Sequence, residues 1–127
     1  MSYLLDTHAL IWYFEDSHDL PDRITAIIDD AVNKKFICSV SLWEIAIKMN
    51  NGKLEMKFSL DELLAEIANS DLNILQVENE YLKKLSEMPF FHTDPFDRLI
   101  MATSLVENMT IITIDKDIQK YDVPWIW

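Results

Sequence analysis

Two aspartates each close an apolar run. Asp6 follows Tyr3-Leu4-Leu5, and Asp115 follows the β-branched run Thr110–Ile114. An acid that ends a buried strand of a parallel sheet arrives outside the carboxyl ends of the strands, where such sheets bind ligands. Asp94 and Asp97 stand three residues apart, so on a helix they share one face near its N-terminus. Glu44 holds the matching place, the first turn of the helix expected after the second apolar run, Phe36–Ser39. Asp6, Glu44, Asp97 and Asp115 can therefore converge on one rim from four separate elements. Carboxylates a few ångströms apart repel by roughly several kcal/mol at the dielectric of a protein cleft, and a divalent cation removes that cost. Mg²⁺ takes carboxylates plus several waters in octahedral geometry. The layout is that of a metal-ion phosphodiester site.

Each acid also has a purely structural reading. Asp6 can cap a helix beginning near His8. Glu44 can complete a capping box with Ser41. Asp94 suits an N-cap or first turn and can pair with Arg98 at i+4. Asp115 can open the turn TIDKD, with Asp117 as the next helix cap. Two observations weigh the other way. Asp6 interrupts an apolar stretch, and Asp97 is followed by the apolar Leu-Ile-Met-Ala, where burial without a partner is costly.

Other chemistries find no footing. His8, His18 and His92 lack a metal-ligand spacing, and the one glycine, Gly52, rules out glycine-rich phosphate loops and nucleophile elbows. Cys38 lies in an apolar run with no histidine beside it. Trp12, Trp43, Trp125 and Trp127 read as core or interface anchors, and the lysine pairs at 34–35 and 83–84 as solvated faces.

The elements that must position the acids alternate strand with helix. Strands are expected at Tyr3–Leu5, Phe36–Ser39, Asn73–Val77 and Thr110–Ile114, with a terminal one at Trp125–Trp127. Helical periodicity marks His8–Phe14, Pro21–Lys34, Ser41 to the Asn-Asn-Gly at 50–52, Ser59–Ala68, Asn79–Met88 and Thr93–Asn108, with a helical turn at Asp117–Tyr121. Ser41-Leu-Trp-Glu44 and Ser59-Leu-Asp-Glu62 both carry the capping-box signature. Continuous apolar strands between helices predict an α/β fold, a three-layer α/β/α sandwich with a central parallel sheet.

The chain has 127 residues, of which 50% are hydrophobic, enough for one domain over 1–127 with its own core. That fraction excludes intrinsic disorder. No apolar run approaches the roughly 18 residues of a membrane span, and the first segment, with Asp6 and His8 inside its apolar part, does not read as a signal peptide. A single buried cysteine suits a reducing cytoplasm. The 22 acids against 11 bases give a net charge of −11, which argues against nucleic acid held by bulk charge. A metal in the acidic cleft inverts the sign locally.

Four blocks in order, LLDTHALIW at 4–12, SLWEIAIK at 41–48, HTDPFDRLIMA at 92–102 and TIITIDKDI at 110–118, together with the VPWIW tail, carry a resemblance over the whole chain. The sequence resembles PIN-domain proteins, and among them the VapC-type toxins of type II toxin–antitoxin pairs. The resemblance implies a Mg²⁺- or Mn²⁺-dependent ribonuclease whose acidic quartet is Asp6, Glu44, Asp97 and Asp115, with Asp94 and Asp117 in a second tier. It also implies a homodimer and a cognate antitoxin covering the site, often with an arginine reaching the acids. A haloacid-dehalogenase D-x-D fails at His8, and a receiver domain needs a lysine where Asp115 stands. The alternative from another class is a non-catalytic PIN-like module that binds a protein partner.

Overall fold

The computed structural model describes all residues, Met1–Trp127. Its elements run β1 (Ser2–Leu5), α1 (Thr7–Phe14), α2 (Asp22–Asp29), β2 (Lys34–Cys38), α3 (Ser39–Asn50), α4 (Leu60–Ala68), β3 (Leu72–Leu75), α5 (Asn79–Glu87), α6 (Pro95–Glu107), β4 (Thr110–Ile112), α7 (Lys116–Gln119) and β5 (Trp125–Ile126). The five strands form one sheet in the order β3-β2-β1-β4-β5, and every pairing is parallel. Leu5 lies level with Ile37 on one side and Ile112 on the other, so β1 and β4 end together and β2 runs one residue further.

Alternation along the strands makes two cores. Tyr3, Leu5, Ile37 and Ile112 pack with Leu10 of α1, Ile24 and Ile28 of α2, and Leu63 and Ile67 of α4. Leu4, Cys38 and Ile111 point the other way, onto Ile100 and Met101 of α6 and Ile118 of α7. Each such fully buried aliphatic side chain contributes about 1.5–3 kcal/mol of transfer free energy. Helices thus cover both faces of a parallel sheet, as expected. No helix is long and apolar enough to cross a membrane.

The local signals succeed and fail for physical reasons. Ser59 and Glu62 form both halves of their capping box, at 3.1 Å each. Gly52, at φ +76°, takes the left-handed turn just after α3. The box at Ser41–Glu44 does not form. Cys38 is both the last residue of β2 and the N-cap of α3, so the helix begins two residues early and Ser41 already lies inside it. Helix α2 stops at Asp29, well short of Lys34, because the Asp30 carboxylate accepts from the Val32 N–H at 2.9 Å and turns the chain. Strand β4 ends at Ile112, as the Thr113 hydroxyl turns to accept from Asp115 N–H at 2.9 Å. Asp115, not Asp117, caps the helix that follows. Lys35 is no solvated lysine: its side chain is fully buried, with Nζ 2.9 Å from the Asp30 carbonyl and 2.6 Å from Asp71.

Candidate active site

The strand order places the reversal of chain direction across the sheet between β1 and β4, since β2 and β3 extend to one side and β5 to the other. Such a switch point opens a crevice at the carboxyl ends of the strands. Asp6 follows β1 and Asp115 lies just beyond β4, so both stand at this crevice.

Asp6 is buried, and one carboxylate oxygen accepts from Ala9 N–H at 2.8 Å as the N-cap of α1. Asp94 caps α6 in the same way, accepting from Phe96 and Asp97 N–H at 2.9 and 3.1 Å, with Pro95 in the first turn. Asp115 caps α7 through Asp117 N–H at 2.8 Å. Each of these caps uses a single oxygen, Oδ1, and the cap fixes where the other oxygen stands. Capping and ligation are therefore compatible readings of the same aspartate.

Glu44 sits in the second turn of α3, 4% exposed. Its Oε1 accepts from the Thr7 hydroxyl at 2.7 Å, and its Oε2 lies 2.6 Å from Lys48 Nζ. The Thr7 hydroxyl is also 3.0 Å from that of Ser41. Because Thr7 gives its single proton to Glu44, Ser41 must be the donor between the two hydroxyls. Thr7, next to Asp6, thereby ties the start of α1 to α3 and brings Glu44 to the rim.

Asp97 is the focus of the group. Its carboxyl is pushed up to about 8, first by burial and then by Asp94, Asp115, Asp6 and Glu44, all near enough to repel its charge. Asp6 is pushed up to about 6, chiefly by burial and in small part by Asp115, against the Thr113 hydroxyl, the Ala9 amide and His8, which favour its charge. Asp97 thus lies within electrostatic reach of Asp6, Glu44 and Asp115. Asp94 joins them at the helix cap. Asp117 does not: half exposed, it pairs with Lys120 at 3.0 Å, and that partner holds its carboxyl below the usual range.

No three His, Cys, Asp or Glu side chains stand close enough together to hold a metal ion. The chemistry of the donors, though not their spacing, is that preferred by a hard cation. The set is all carboxylate oxygen, it carries unrelieved mutual repulsion, and an ammonium already stands in at Glu44. An open set with few protein ligands suits Mg²⁺, which retains waters.

Two residues of the neighbourhood went unforeseen, and a third is placed otherwise than expected. Lys48 is the cation on Glu44, and its ammonium is stabilised by that hydrogen bond and, more weakly, by Asp94 and Asp97; its i+4 spacing from Glu44 was the available signal. His92 places Nε2 3.4 Å from Asp97 Oδ2, and Tyr121 holds the other ring nitrogen. Arg98 does not pair with Asp94. It is buried, donating to the Pro89 carbonyl and the Tyr121 hydroxyl at 2.9 Å each, with Phe90 stacked 4.6 Å away. The largest concavity, about 480 Å³ and lined by Trp12, Asp16, His18 and Asp22, contains none of the converging acids.

A sequence model of the PIN domain matches residues 3–124. No curated protein matches the sequence significantly. Among solved structures, the chain is similar to VapBC2 from Rickettsia felis bound to a promoter DNA fragment, with TM-score 0.71 and 19% identity over 99% of this chain and 98% of that one. It is similar to a toxin–antitoxin complex from Klebsiella pneumoniae, with TM-score 0.67 and 15% identity over 98% and 96%. It also resembles FitAcB from Neisseria gonorrhoeae, with TM-score 0.64 and 17% identity over 98% and 96%.

Proposed function

The chain belongs to the PIN-domain family, and from that membership we propose that it is a Mg²⁺- or Mn²⁺-dependent endoribonuclease, the toxin of a type II toxin–antitoxin pair acting in the cytoplasm. The observation that carries the reading is the gathering of Asp6, Glu44, Asp94 and Asp115 around the partly buried Asp97 at the switch point of the sheet.

Asp6, Asp97 and Asp115 would hold the cation, with Glu44 reaching it directly or through water. When bound, the cation supplies positive charge that neutralises an approaching phosphate and lowers the pKa of water. Glu44, fixed by Thr7 and Lys48, would orient the attacking water. Thr113 would hold Asp6 and Asp115 in register through its hydroxyl. With the acids neutralised, the formal charge of −11 no longer bars RNA from the cleft, although it still disfavours non-specific binding elsewhere.

One of the similar solved structures is described as a toxin–antitoxin complex, and this supports a cognate antitoxin for the present chain. Its basic group would take the place Lys48 fills on Glu44, and the toxin would act as a homodimer. The test is cleavage of RNA by purified protein with Mg²⁺, the products read by sequencing. The parent should cleave, while Asp6→Asn and Asp97→Asn should not. Parent-level cleavage by both variants would sink the metal-site reading.

A further inference from the structure

The Tyr121 hydroxyl is a junction. Backbone N–H groups of Phe91 and His92 point to it at 3.1 and 3.2 Å, Arg98 donates to it at 2.9 Å, and His92 Nδ1 lies 2.9 Å away. A phenol oxygen has one proton and room for about two accepted bonds. Three N–H donors already saturate it as an acceptor. Its own proton has a single acceptor within reach, the Nδ1 of His92. That nitrogen must then be unprotonated, and the ring proton sits on Nε2, the atom that faces Asp97 Oδ2 at 3.4 Å. Tyr121 is 5% exposed and Arg98 8%, so water does not offer the phenol an easy alternative. The rings of His92 and Tyr121 also meet edge to face, their centroids 5.4 Å apart.

We propose that His92 is a positioning residue for Asp97, locked by Tyr121 into the tautomer that donates from Nε2 to Oδ2 and so fixes the orientation of that carboxylate. The proposal rests on the reading of Asp97 as a metal ligand. Its logic is that of an outer-shell donor, which orients a ligating carboxylate without touching the ion. Arg98 serves the same end from further back: by holding the Pro89 carbonyl and the Tyr121 hydroxyl it fixes the segment that carries His92. The geometry also explains why this aspartate has a side-chain donor nearby when the other acids around it only add repulsion.

The experiment has two arms. In the first, ¹⁵N spectra of histidine-labelled parent protein read the His92 tautomer directly, with and without Mg²⁺. The Nε2–H form is expected in both, and a dominant Nδ1–H form would overturn the proposal without any variant having to fold. In the second, Mn²⁺ affinity is measured by calorimetry for Tyr121→Phe, His92→Ala, the double variant and Asp97→Asn. Tyr121→Phe and His92→Ala should each weaken binding by about 10-fold or more. The double variant should be no worse than the weaker single one, as expected of residues acting through one contact. Asp97→Asn binding Mn²⁺ like the parent defeats the ligand reading itself. Loss in Asp97→Asn with His92→Ala and Tyr121→Phe both within about twofold of the parent defeats only the positioning role.

Discussion

Lys48 Nζ and Glu44 Oε2 stand 2.6 Å apart, one helical turn from each other, and this is the one lysine or arginine ion pair made by any of Asp6, Glu44, Asp97 or Asp115. The carboxylate is buried and the ammonium is 39% exposed, so the pair is half in solvent. On the reading of these acids as a cation site, a half-solvated pair would hold the site together in the metal-free protein and yield to the metal.

Removing that ammonium should therefore separate stability from affinity. Lys48→Met leaves Glu44 buried without its counter-charge, at a cost of about 1–2 kcal/mol in the metal-free protein. The metal-free melting temperature should fall by several degrees, and the rise on adding Mn²⁺ should exceed that of the parent. Scanning calorimetry with and without Mn²⁺ checks both. An unchanged metal increment would show that Lys48 does not compete for Glu44.

The pH dependence of the metal-free protein follows from Asp6 and Asp97. Both have folded pKa values raised above the ordinary 3.8, to about 6 and about 8. Their contribution to stability is fully present below pH 3.8 and is lost as pH rises through 6 and then 8. Melting at pH 5 should thus lie above melting at pH 9, and Asp97→Asn should flatten the upper part of the profile. If the proposed site takes Mn²⁺ it takes it on the ionised acids, so saturating Mn²⁺ should weaken or reverse the trend.

The acids should sort by role. Asp97→Asn is expected to lower RNA cleavage by about 100-fold or more, with melting of the metal-free protein unchanged or raised. Asp94→Ala should cost about 1 kcal/mol through the lost cap of α6 and should lower activity less. Asp117→Asn, whose carboxylate is on Lys120, should cleave within about twofold of the parent. Cleavage rates and urea midpoints measured on one panel separate the three.

The buried lysine offers a check on the fold alone. Lys35 is fully enclosed while its partner Asp71 is 55% exposed. Asp71→Ala strands an ammonium in the interior, with only the Asp30 carbonyl left as partner, and should destabilise by about 2–3 kcal/mol. Lys35→Met leaves Asp71 to water and should cost much less. Equal losses in urea denaturation would contradict the asymmetry.

Much of the layout was legible in the residues because the deciding signals are local. An aspartate ending an apolar run marks a strand terminus, and Asp94-Pro95 marks a helix start; Asp6, Asp94 and Asp97 all sit where those rules put them. The failures are those of local rules under tertiary control. Ser41-Leu-Trp-Glu44 has the spelling of a capping box, yet β2 runs straight into α3 and carries it past the cap position. Lys35 looks like any surface lysine until Asp71, 36 residues later, is folded against it. Tyr121 and His92 meet across 29 residues, and no spacing rule joins them.

The separation between the acid rim and the main concavity has a pharmacological corollary. A compact, drug-sized molecule shaped to fill the groove beside Trp12 and Asp22 would touch none of the carboxylates around Asp97. On the proposed reading, an inhibitor would need either a chelating head laid on the carboxyl ends of β1 and β4 or an extended chain long enough to drape over them. The second description is that of a peptide, and it makes inhibition here a matter of coverage more than of fit.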